Sequence, residues 1–282
     1  MPGAPIPIGV NLTTIRVTGA WWIEQARRLE AAGFSTAWSW DHFISRGTRK
    51  TDPMLECWTL LTAAAVSTER LKVGSFVFNV MNHHPAVLAR MVATLADLAP
   101  GRVELGIGIG GDPTAQLAYG IEWPEPPERV ARLEEAVQVL RLLFTGGPVS
   151  FDGRFFTLRD AFAFPVPTPA PRITIGGETP AGARLGARIG DAWTCSGPTF
   201  DARYPVFLEA LAAAGRRRED VQVLVALDVD RVDPERDPVI ADLAGSASSW
   251  AERGADELVL HWVRPPELDL VIAAGERAEL RG

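Results

Sequence analysis

Cysteine and lysine are scarce in this sequence. The 282 residues include two cysteines, Cys57 and Cys195, and neither belongs to a CxxC motif or a Cys/His cluster. We therefore expect no zinc ribbon, iron–sulfur site or secreted disulfide framework, and no metal site. The 28 basic residues include two lysines, Lys50 in a predicted loop and Lys72 at a predicted strand start. With lysine only at these two positions, a Schiff-base aldolase is not expected.

The sequence also lacks a positive net charge and a long apolar run. The net charge is −7, so no overall positive field attracts a phosphate backbone, and we expect no nucleic-acid partner. Apolar runs such as residues 63–66 fall far short of the roughly 20 residues that span a bilayer. The amino terminus has no basic stretch followed by an apolar run, so no signal peptide is expected. These features predict a cytoplasmic protein that binds a small molecule and no membrane.

Strand-like and helix-like segments alternate eight times along the chain. The strands are predicted at 6–12, 35–40, 71–78, 103–109, 173–175, 192–195, 221–229 and 257–262. The helices that follow them are predicted at 19–32, from 53, and at 85–98, 130–144, 181–189, 202–214, 238–253 and 268–280. This alternation predicts parallel strands joined by right-handed crossovers. Eight such units favour a closed (β/α)8 TIM barrel of class α/β, as one domain over residues 1–282.

Two segments interrupt the alternation. Residues 110–127 are polar and proline-rich and follow the fourth strand, on the side where barrel enzymes place their active sites. Residues 149–158 are predicted to form a hairpin around Asp152 and Gly153, a favoured tight-turn pair. Neither segment is typical of a linker. Both therefore belong to the single domain, as an insertion after the fourth strand and a small hairpin before the fifth.

Reactive groups of a parallel barrel collect at the carboxyl ends of its strands and in the loops that follow. The residues at these ends are mostly aromatic, amide, hydroxyl and glycine residues, which predicts a mouth that is poor in charge and suits a flat, amphipathic ligand. Asp41 and His42, after the second strand, form the strongest titratable pair. His42 is a candidate general acid/base, or a hydrogen-bond donor to a cofactor ring, because imidazole titrates near neutrality. Alternatively, the two residues form a structural pair that caps a loop.

The other histidines point to no metal centre. His83 and His84 precede Pro85 and are interpreted as part of the loop that leads into a helix. His261 either faces the mouth or lies in the core. With no HxH motif on the first strand and no pair of glutamates at neighbouring strand ends, metal-dependent amidohydrolases and barrel glycosidases are not expected. We therefore expect the chemistry to come from an organic cofactor.

Two groups of glycines follow predicted strands. Residues 106–111 match a dinucleotide-binding fingerprint only weakly, because no helix opens directly after them. They are interpreted as a close backbone approach to a ligand, or as a tight turn. Gly176 and Gly177, followed by Thr179, place backbone N–H groups at the start of a helix and predict an anion-binding site. The pair 196–197 adds further donors, and a plain helix-capping turn is the alternative.

Several motifs, taken in order, give a resemblance to a known family. They are AGF at 32–34, WDHF at 40–43, HPAVLAR at 84–90, LAPGR at 98–102, GRVELGIG at 101–108, IGG at 175–177 and GDAW at 190–193. Together they resemble the bacterial luciferase-like monooxygenase superfamily over nearly the whole chain, especially its branch that uses coenzyme F420, an 8-hydroxy-5-deazaflavin. The resemblance implies an eight-stranded α/β barrel with an insertion, which agrees with the alternation of predicted elements.

The resemblance also implies a cofactor site at the barrel mouth. The flavin or deazaflavin ring is expected beside Asp41 and His42, which match the family's Asp-His pair. Many members have a non-prolyl cis peptide on the third strand, and Ser75–Phe76 is the matching pair. Further residues expected around the ring are Asn79, Gly108, Gly110 and Gly111. The residues expected to bind the cofactor's phosphate follow the fifth and sixth strands and are Gly176, Gly177, Thr179, Thr194, Ser196 and Gly197.

The function implied by this resemblance is that of an F420-dependent oxidoreductase. It transfers a hydride between the deazaflavin and a small organic substrate, with His42 as the proton relay or ring-polarising donor. Trp40, Phe78 and Trp262 are candidate pocket walls, and at least one of them is expected to pack in the core instead. Gly111 stands where members that oxidise a sugar phosphate have an acidic residue, which puts that substrate class in doubt. The alternatives are an FMN-dependent monooxygenase and a catalytically silent flavin- or deazaflavin-binding protein. A homodimer is the expected assembly, since two-fold assemblies are the commonest.

Overall fold

The computed structural model describes residues 6–45 and 49–280. Its strands are β1 (Ile8–Leu12), β2 (Thr36–Ser39), β3 (Lys72–Asn79), β4 (Val103–Gly108), β5 (Val149–Asp152), β6 (Thr157–Ala161), β7 (Arg172–Gly176), β8 (Ala192–Ser196), β9 (Gln222–Asp228) and β10 (Glu257–Val263). Its α-helices are α1 (Gly19–Ala31), α2 (Cys57–Ser67), α3 (Pro85–Leu98), α4 (Pro113–Ala118), α5 (Pro126–Leu143), α6 (Pro180–Ile189), α7 (Gly197–Ala213), α8 (Pro238–Ala241), α9 (Leu243–Arg253) and α10 (Pro265–Arg277). The predicted domain limits at residues 1 and 282 lie outside the described ranges.

Parallel strands close into a barrel. Around it the order is β1, β2, β3, β4, β7, β8, β9 and β10, and β10 pairs with β1 to complete the ring. All neighbours are parallel, so the predicted (β/α)8 TIM barrel is confirmed. β5 and β6 form the predicted antiparallel hairpin before β7, and α4 lies in the insertion after β4. Within the two described ranges, no helix combines the length and apolar character needed to cross a membrane.

Local contacts fix where the first two helices begin and end. The hydroxyl of Thr18 accepts a hydrogen bond from a first-turn N–H at 3.1 Å and starts α1. Gly33, at φ +80°, follows this helix in the left-handed conformation that glycine adopts cheaply, as predicted. The predicted start of α2 at 53 is wrong, because the carbonyl of Pro53 accepts a hydrogen bond from the Arg16 N–H at 2.9 Å and holds this segment against the loop after β1. The helix begins at Cys57 instead.

Three helices begin three or more residues earlier than predicted. They start at Pro126, Gly197 and Pro265, against predictions of 130, 202 and 268. Each has a proline in its first two positions, where proline's fixed φ is helical and its missing N–H leaves no intrahelical bond unmade. The apolar periodicity marks buried turns, so it missed these more polar first turns.

The predicted helix 238–253 is two helices, α8 and α9, which are separated at Asp242. Asp242 has φ −138°, outside the helical range, and its carboxylate accepts a hydrogen bond from the Gly245 N–H at 2.9 Å. The side chain therefore caps a new helix at a position where the apolar periodicity continues.

Trp38 fills the middle of the barrel. Its indole packs in the barrel interior against Ala192, Leu224, Val259 and Phe76. Gly9 and Gly74, on the flanking strands β1 and β3, make room for it. A Cβ atom at Gly9 would lie 2.4 Å from Nε1 of Trp38, and one at Gly74 would lie 2.4 Å from Cζ3. The barrel is thus closed at mid-height by one aromatic side chain that requires glycine beside it.

Charged side chains occupy the amino-terminal end of the barrel, opposite the mouth. Glu104 accepts hydrogen bonds from Arg172 at 2.7 Å and from Lys72 at 3.0 Å, and Arg172 also donates to Glu257 at 2.9 Å. Burial raises the pKa of Glu257, although the Arg172 charge opposes this effect. A cavity of about 210 Å³ lies beside this network. Active sites of such barrels lie at the carboxyl ends of the strands, which is the opposite face. We therefore assign these ion pairs a role in the stability of the fold.

β3 contains a bulge. Ser75 pairs with Leu105 and Phe78 with Ile107, so β3 has one more residue than β4 over the same stretch. The cis peptide bond joins Phe76 and Val77, and the predicted position at Ser75–Phe76 is wrong by one residue. Ser75 instead keeps its place in the ladder, and its hydroxyl donates a hydrogen bond to a β4 carbonyl at 2.7 Å. No proline marks the bond, so the local sequence could not locate it.

Candidate active site at the barrel mouth

The mouth comprises the carboxyl ends of the barrel strands and the loops that follow them. Asp41 lies after β2, and its buried carboxylate joins this segment to the loop after β3. Oδ2 of Asp41 accepts hydrogen bonds from the Asn79 N–H and the Asn82 side-chain amide, each at 3.0 Å, and lies 3.1 Å from Nε2 of His83. The mouth therefore contains a histidine–carboxylate pair, Asp41–His83. The sequence predicted only a position in a helix-leading loop for His83.

The two adjacent histidines after β3 have different roles. His84 caps α3, because its Nδ1 accepts a hydrogen bond from the Ala86 N–H at 3.2 Å. This contact confirms the helix-leading interpretation for His84. His83 turns toward Asp41 and places its ring 4.9 Å from that of Phe78. Because β2 and β3 are neighbours in the barrel, the loops after them lie side by side. This adjacency was the feature of the predicted fold that could have indicated the Asp41–His83 pair.

Aromatic rings line the mouth around Trp40. The ring of Trp40 lies 5.8 Å from that of His42, 5.6 Å from that of His261 and 5.1 Å from that of Trp262. Trp40 and Trp262 thus stand at the mouth as predicted. Phe78 is the candidate that packs in the core instead, because its side chain is fully buried and its ring lies 5.6 Å from that of Trp58.

His261 faces the mouth rather than the core. It pairs in register with Asp228 of β9, and its Nδ1 lies 2.9 Å from Oδ1 of that carboxylate. The hydrogen bond from His261 lowers the pKa of Asp228 below its ordinary value, against the opposing effect of burial. Arg231 lies 3.9 Å from the same carboxylate and stacks 3.8 Å above the ring of Trp262. The prediction that the mouth is poor in charge is therefore wrong, because a carboxylate, an imidazole and a guanidinium meet here.

Glycines within β4 and β7 accommodate the bulge of β3. A Cβ atom at Gly106 would lie 2.8 Å from Val77, one at Gly176 would also lie 2.8 Å from it, and one at Gly108 would lie 3.0 Å away. Gly110, at φ +74°, has the Asn79 side chain 2.6 Å from its Cβ position. Some of the glycines predicted to let the backbone approach a ligand thus let it approach β3 instead. Gly111 is exposed at the start of the insertion.

The loops after β7 and β8 gather hydrogen-bond donors around an anion. Oε2 of Glu178 accepts hydrogen bonds from the hydroxyls of Ser196 and Thr199, both at 2.8 Å, at the first turn of α7. Thr179 caps α6 by accepting from the Gly182 N–H at 3.1 Å, so the capping interpretation holds for this residue. The donors on α7 hold a carboxylate of the chain itself, which shows that this site suits an anionic oxygen.

Two buried polar atoms lie just inside the mouth. Nδ2 of Asn11 and Oγ1 of Thr194 bond no atom of the described structure. Asn11 lies two positions after Gly9 on β1, and Thr194 lies two positions after Ala192 on β8. Gly9 and Ala192 face Trp38 in the barrel interior. Because residues two apart on a strand point to the same side, both side chains point into the barrel. Buried polar groups are nearly always hydrogen-bonded. The donor set therefore fits a polar ligand that reaches the barrel interior, as a flavin or deazaflavin with a phosphate would.

The insertion is fastened to the mouth by Arg129. Its guanidinium donates to the carbonyls of Ile109 at 2.7 Å, Gly110 at 3.0 Å and Pro124 at 3.0 Å. It also stacks 3.9 Å from the ring centre of Trp123. One buried side chain thus links the glycine segment after β4 to the proline-rich insertion. Across residues 6–45 and 49–280, no three His, Cys, Asp or Glu side chains converge as a metal site.

The luciferase-like monooxygenase family matches residues 9–234, and the chain belongs to this family. It is 35% identical over 228 residues to the F420-dependent glucose-6-phosphate dehydrogenase of Mycolicibacterium fortuitum, a match that covers 78% of this chain and 66% of that protein. Across the curated relatives considered, the matched part spans between 52% and 66% of the relative's length.

Solved structures share the fold. An F420-dependent secondary alcohol dehydrogenase in complex with an F420-acetone adduct aligns over 97% of this chain and 98% of its own, with a TM-score of 0.81 and 22% identity. The EDTA monooxygenase of Chelativorans sp. BNC1 aligns over 99% and 95%, with a TM-score of 0.77 and 15% identity. At these identities the likeness concerns the fold alone.

Proposed function

We propose that this chain is an F420-dependent oxidoreductase that transfers a hydride between the deazaflavin and a small organic substrate. The cofactor assignment rests on the match to F420-dependent glucose-6-phosphate dehydrogenase over 78% of the chain. The donors at the mouth support it, because they suit a ligand with a polar ring system and an anionic tail. When bound, F420 accepts or donates the hydride at ring carbon C5.

The residues that would hold the cofactor are those that the resemblance implies. The ring would lie beside Asp41 and His42, with Ser75, Phe76, Asn79, Gly108, Gly110 and Gly111 around it. The phosphate would bind at Gly176, Gly177, Thr179, Thr194, Ser196 and Gly197. Asp41 orders this side of the mouth through its bonds to the loop after β3. The barrel walls orient the two reactants and exclude water.

Equilibrium binding tests the cofactor assignment. Titration of the purified protein with F420 and with FMN, followed by fluorescence, is expected to give saturable binding of F420 with the higher affinity. Turnover is then measured as the change in F420 absorbance with a panel of alcohols and carbonyl compounds. Absence of measurable affinity for both cofactors ends the proposal.

An FMN-dependent monooxygenase is the second candidate. Its support is the match of residues 9–234 to the luciferase-like monooxygenase family. Oxygen consumption with reduced FMN and a partner reductase, without turnover of F420, would favour this candidate. Binding of either cofactor without turnover of any substrate would favour a silent binding protein.

We also propose a single domain over the whole chain and a homodimer. The barrel closes through β1 and β10, near the two ends of the chain, which supports one domain. Analytical ultracentrifugation measures the assembly directly. A monomer at micromolar concentration would contradict the dimer and leave the cofactor assignment unaffected.

A further inference from the structure

His261 and Asp228 form a second acid–base pair at the mouth, on adjacent strands β10 and β9. Nδ1 of His261 lies 2.9 Å from Oδ1 of Asp228. Because the carboxylate accepts, Nδ1 donates the hydrogen bond and the ring is held in one orientation. Nε2 is then the nitrogen that can exchange a proton with a ligand.

The two histidine–carboxylate pairs differ in their access to solvent. In Asp41–His83 the side chains are 7% and 17% exposed, and Asp41 is committed to three donors. In Asp228–His261 they are 66% and 32% exposed. A group that passes protons between a ligand and solvent needs such access. The first pair thus joins loops, while the second has the exposure that proton exchange requires.

The surroundings of His261 are aromatic. Its ring lies 5.6 Å from that of Trp40 and 6.1 Å from that of Phe76. Among the described residues, two further charged or titratable groups lie close to the pair. Arg231 stacks on Trp262 and lies 3.9 Å from Asp228, and the ring of His42 lies 5.8 Å from that of Trp40. A ligand beside His261 therefore meets aromatic faces and an imidazole, while the nearby guanidinium of Arg231 is already paired with Asp228.

Lys72 lies far from this pair, because it bonds Glu104 at the opposite end of the barrel. Gly111, exposed at the start of the insertion, supplies no side chain for proton exchange. These features disfavour a phosphorylated substrate and leave the proton-exchanging role to another residue.

We propose that His261, positioned by Asp228, exchanges the proton of the substrate oxygen, and that the substrate is an uncharged alcohol with an apolar group, or its carbonyl product. This inference rests on the proposed function. In the oxidation direction the hydroxyl proton passes to Nε2 of His261, the hydride on the same carbon leaves to the deazaflavin, and the C–O bond becomes C=O. The substrate loses two electrons, which the deazaflavin gains, and His261 releases its proton to water.

Steady-state kinetics with cyclohexanol, 1-phenylethanol and glucose 6-phosphate test the proposal. The two uncharged alcohols are expected to give kcat/KM at least about tenfold above that of the phosphorylated sugar. His261→Asn is expected to lower kcat by about 10²- to 10⁴-fold, the range for loss of a general acid/base. His84→Asn, whose side chain still caps α3, is the matched histidine control and is expected to keep the activity. Preference for glucose 6-phosphate, or an active His261→Asn, would overturn the proposal.

Asp228 acts through His261, so its variants are expected to separate binding from turnover. Asp228→Asn should lower kcat with little change in KM, and Asp228→Glu should restore part of the loss. A rise in KM with unchanged kcat would contradict the positioning role. Added imidazole is expected to restore turnover to His261→Ala, which a purely structural histidine would not allow.

Two readouts do not depend on turnover. Carbon-detected NMR is expected to show the pKa of the Asp228 carboxyl rising toward its ordinary value in His261→Asn, because the hydrogen bond that lowers it is removed. The F420 dissociation constant is expected to stay within about twofold of the wild-type value. Failure of the wild-type protein to bind F420 overturns the proposed function, whereas tight binding with an unimpaired His261→Asn overturns this inference alone.

Discussion

Nε2 of His83 lies 3.1 Å from Oδ2 of Asp41, and this contact joins the loops after β2 and β3 at the barrel mouth. The same oxygen also accepts from Asn79 and Asn82. A single buried carboxylate thus orders two loops beside the proposed cofactor ring. Its removal would leave several donors without an acceptor in a place that water reaches poorly.

Asp41→Ala is expected to lower the free energy of unfolding by about 1–3 kcal/mol, the cost of leaving buried donors unsatisfied. Urea unfolding measures this loss. Asp201→Ala is the matched control, because Asp201 is 82% exposed and pairs with Arg253 on the surface. We expect the control to lose less than about 1 kcal/mol. Equal losses in the two variants would contradict the role of Asp41.

Gly74→Ala is expected to destabilise the barrel by about 1–3 kcal/mol or more, because the new Cβ would overpack Trp38. The Cβ position lies 2.4 Å from the indole and 2.8 Å from Cβ of Glu104. Gly19→Ala at the start of α1 is the control, since no atom lies within 4 Å of its Cβ position. Thermal unfolding should separate the two variants, and a stable Gly74→Ala would contradict the packing account.

Glu178→Gln is expected to tighten F420 binding by about threefold to tenfold. The carboxylate of Glu178 holds the hydroxyls of Ser196 and Thr199, at the position proposed for the cofactor's phosphate. Two anions at one place repel each other, so removal of one charge should favour the other. Glu209→Gln, on the exposed side of the same helix α7, removes the same charge and is expected to leave the affinity unchanged. Weaker binding in Glu178→Gln would place the phosphate elsewhere.

Glu30→Gln is expected to remove a pH-dependent part of the stability. Burial alone would raise the pKa of Glu30, but hydrogen bonds from three backbone N–H groups at 69–71, together with the Arg70 charge, lower it. Because the pKa is depressed in the folded state, this stabilisation is present above the ordinary pKa, which is 4.5. It is lost as the pH falls through the folded value.

Urea unfolding at pH 7 and at pH 3 measures this effect. The difference between wild type and Glu30→Gln is expected to be about 1 kcal/mol at pH 7 and to shrink at pH 3. Glu24→Gln on α1 is the control, because Glu24 forms an exposed ion pair at 3.7 Å with Arg27. A difference that does not vary with pH would contradict the account.

Local signals in the sequence were enough for the fold. The stripe of apolar residues after Pro85 predicted α3 with the bounds that the structure has, Pro85–Leu98. Gly33 marked the end of the first helix for the same reason, because its conformation depends on its own residue type. The eightfold alternation of strands and helices then predicted the closed barrel.

The contacts that organise the mouth depend on residues far apart in the chain. His83 meets Asp41 at a separation of 42 residues, and His261 meets Asp228 at a separation of 33. Barrel topology brings these strand ends together, but which side chain of each loop turns inward depends on backbone detail such as the bulge of β3. The sequence therefore indicated where the site lies better than which residues pair within it.

The indole of Trp38 gives the barrel a floor and hence a single entrance. A molecule seated deepest must arrive first and depart last, because anything above it blocks the way out. Two ligands that share such a space exchange in a fixed order. Kinetics with cofactor and substrate varied together should accordingly follow a compulsory sequence of addition, set by the depth at which each one rests.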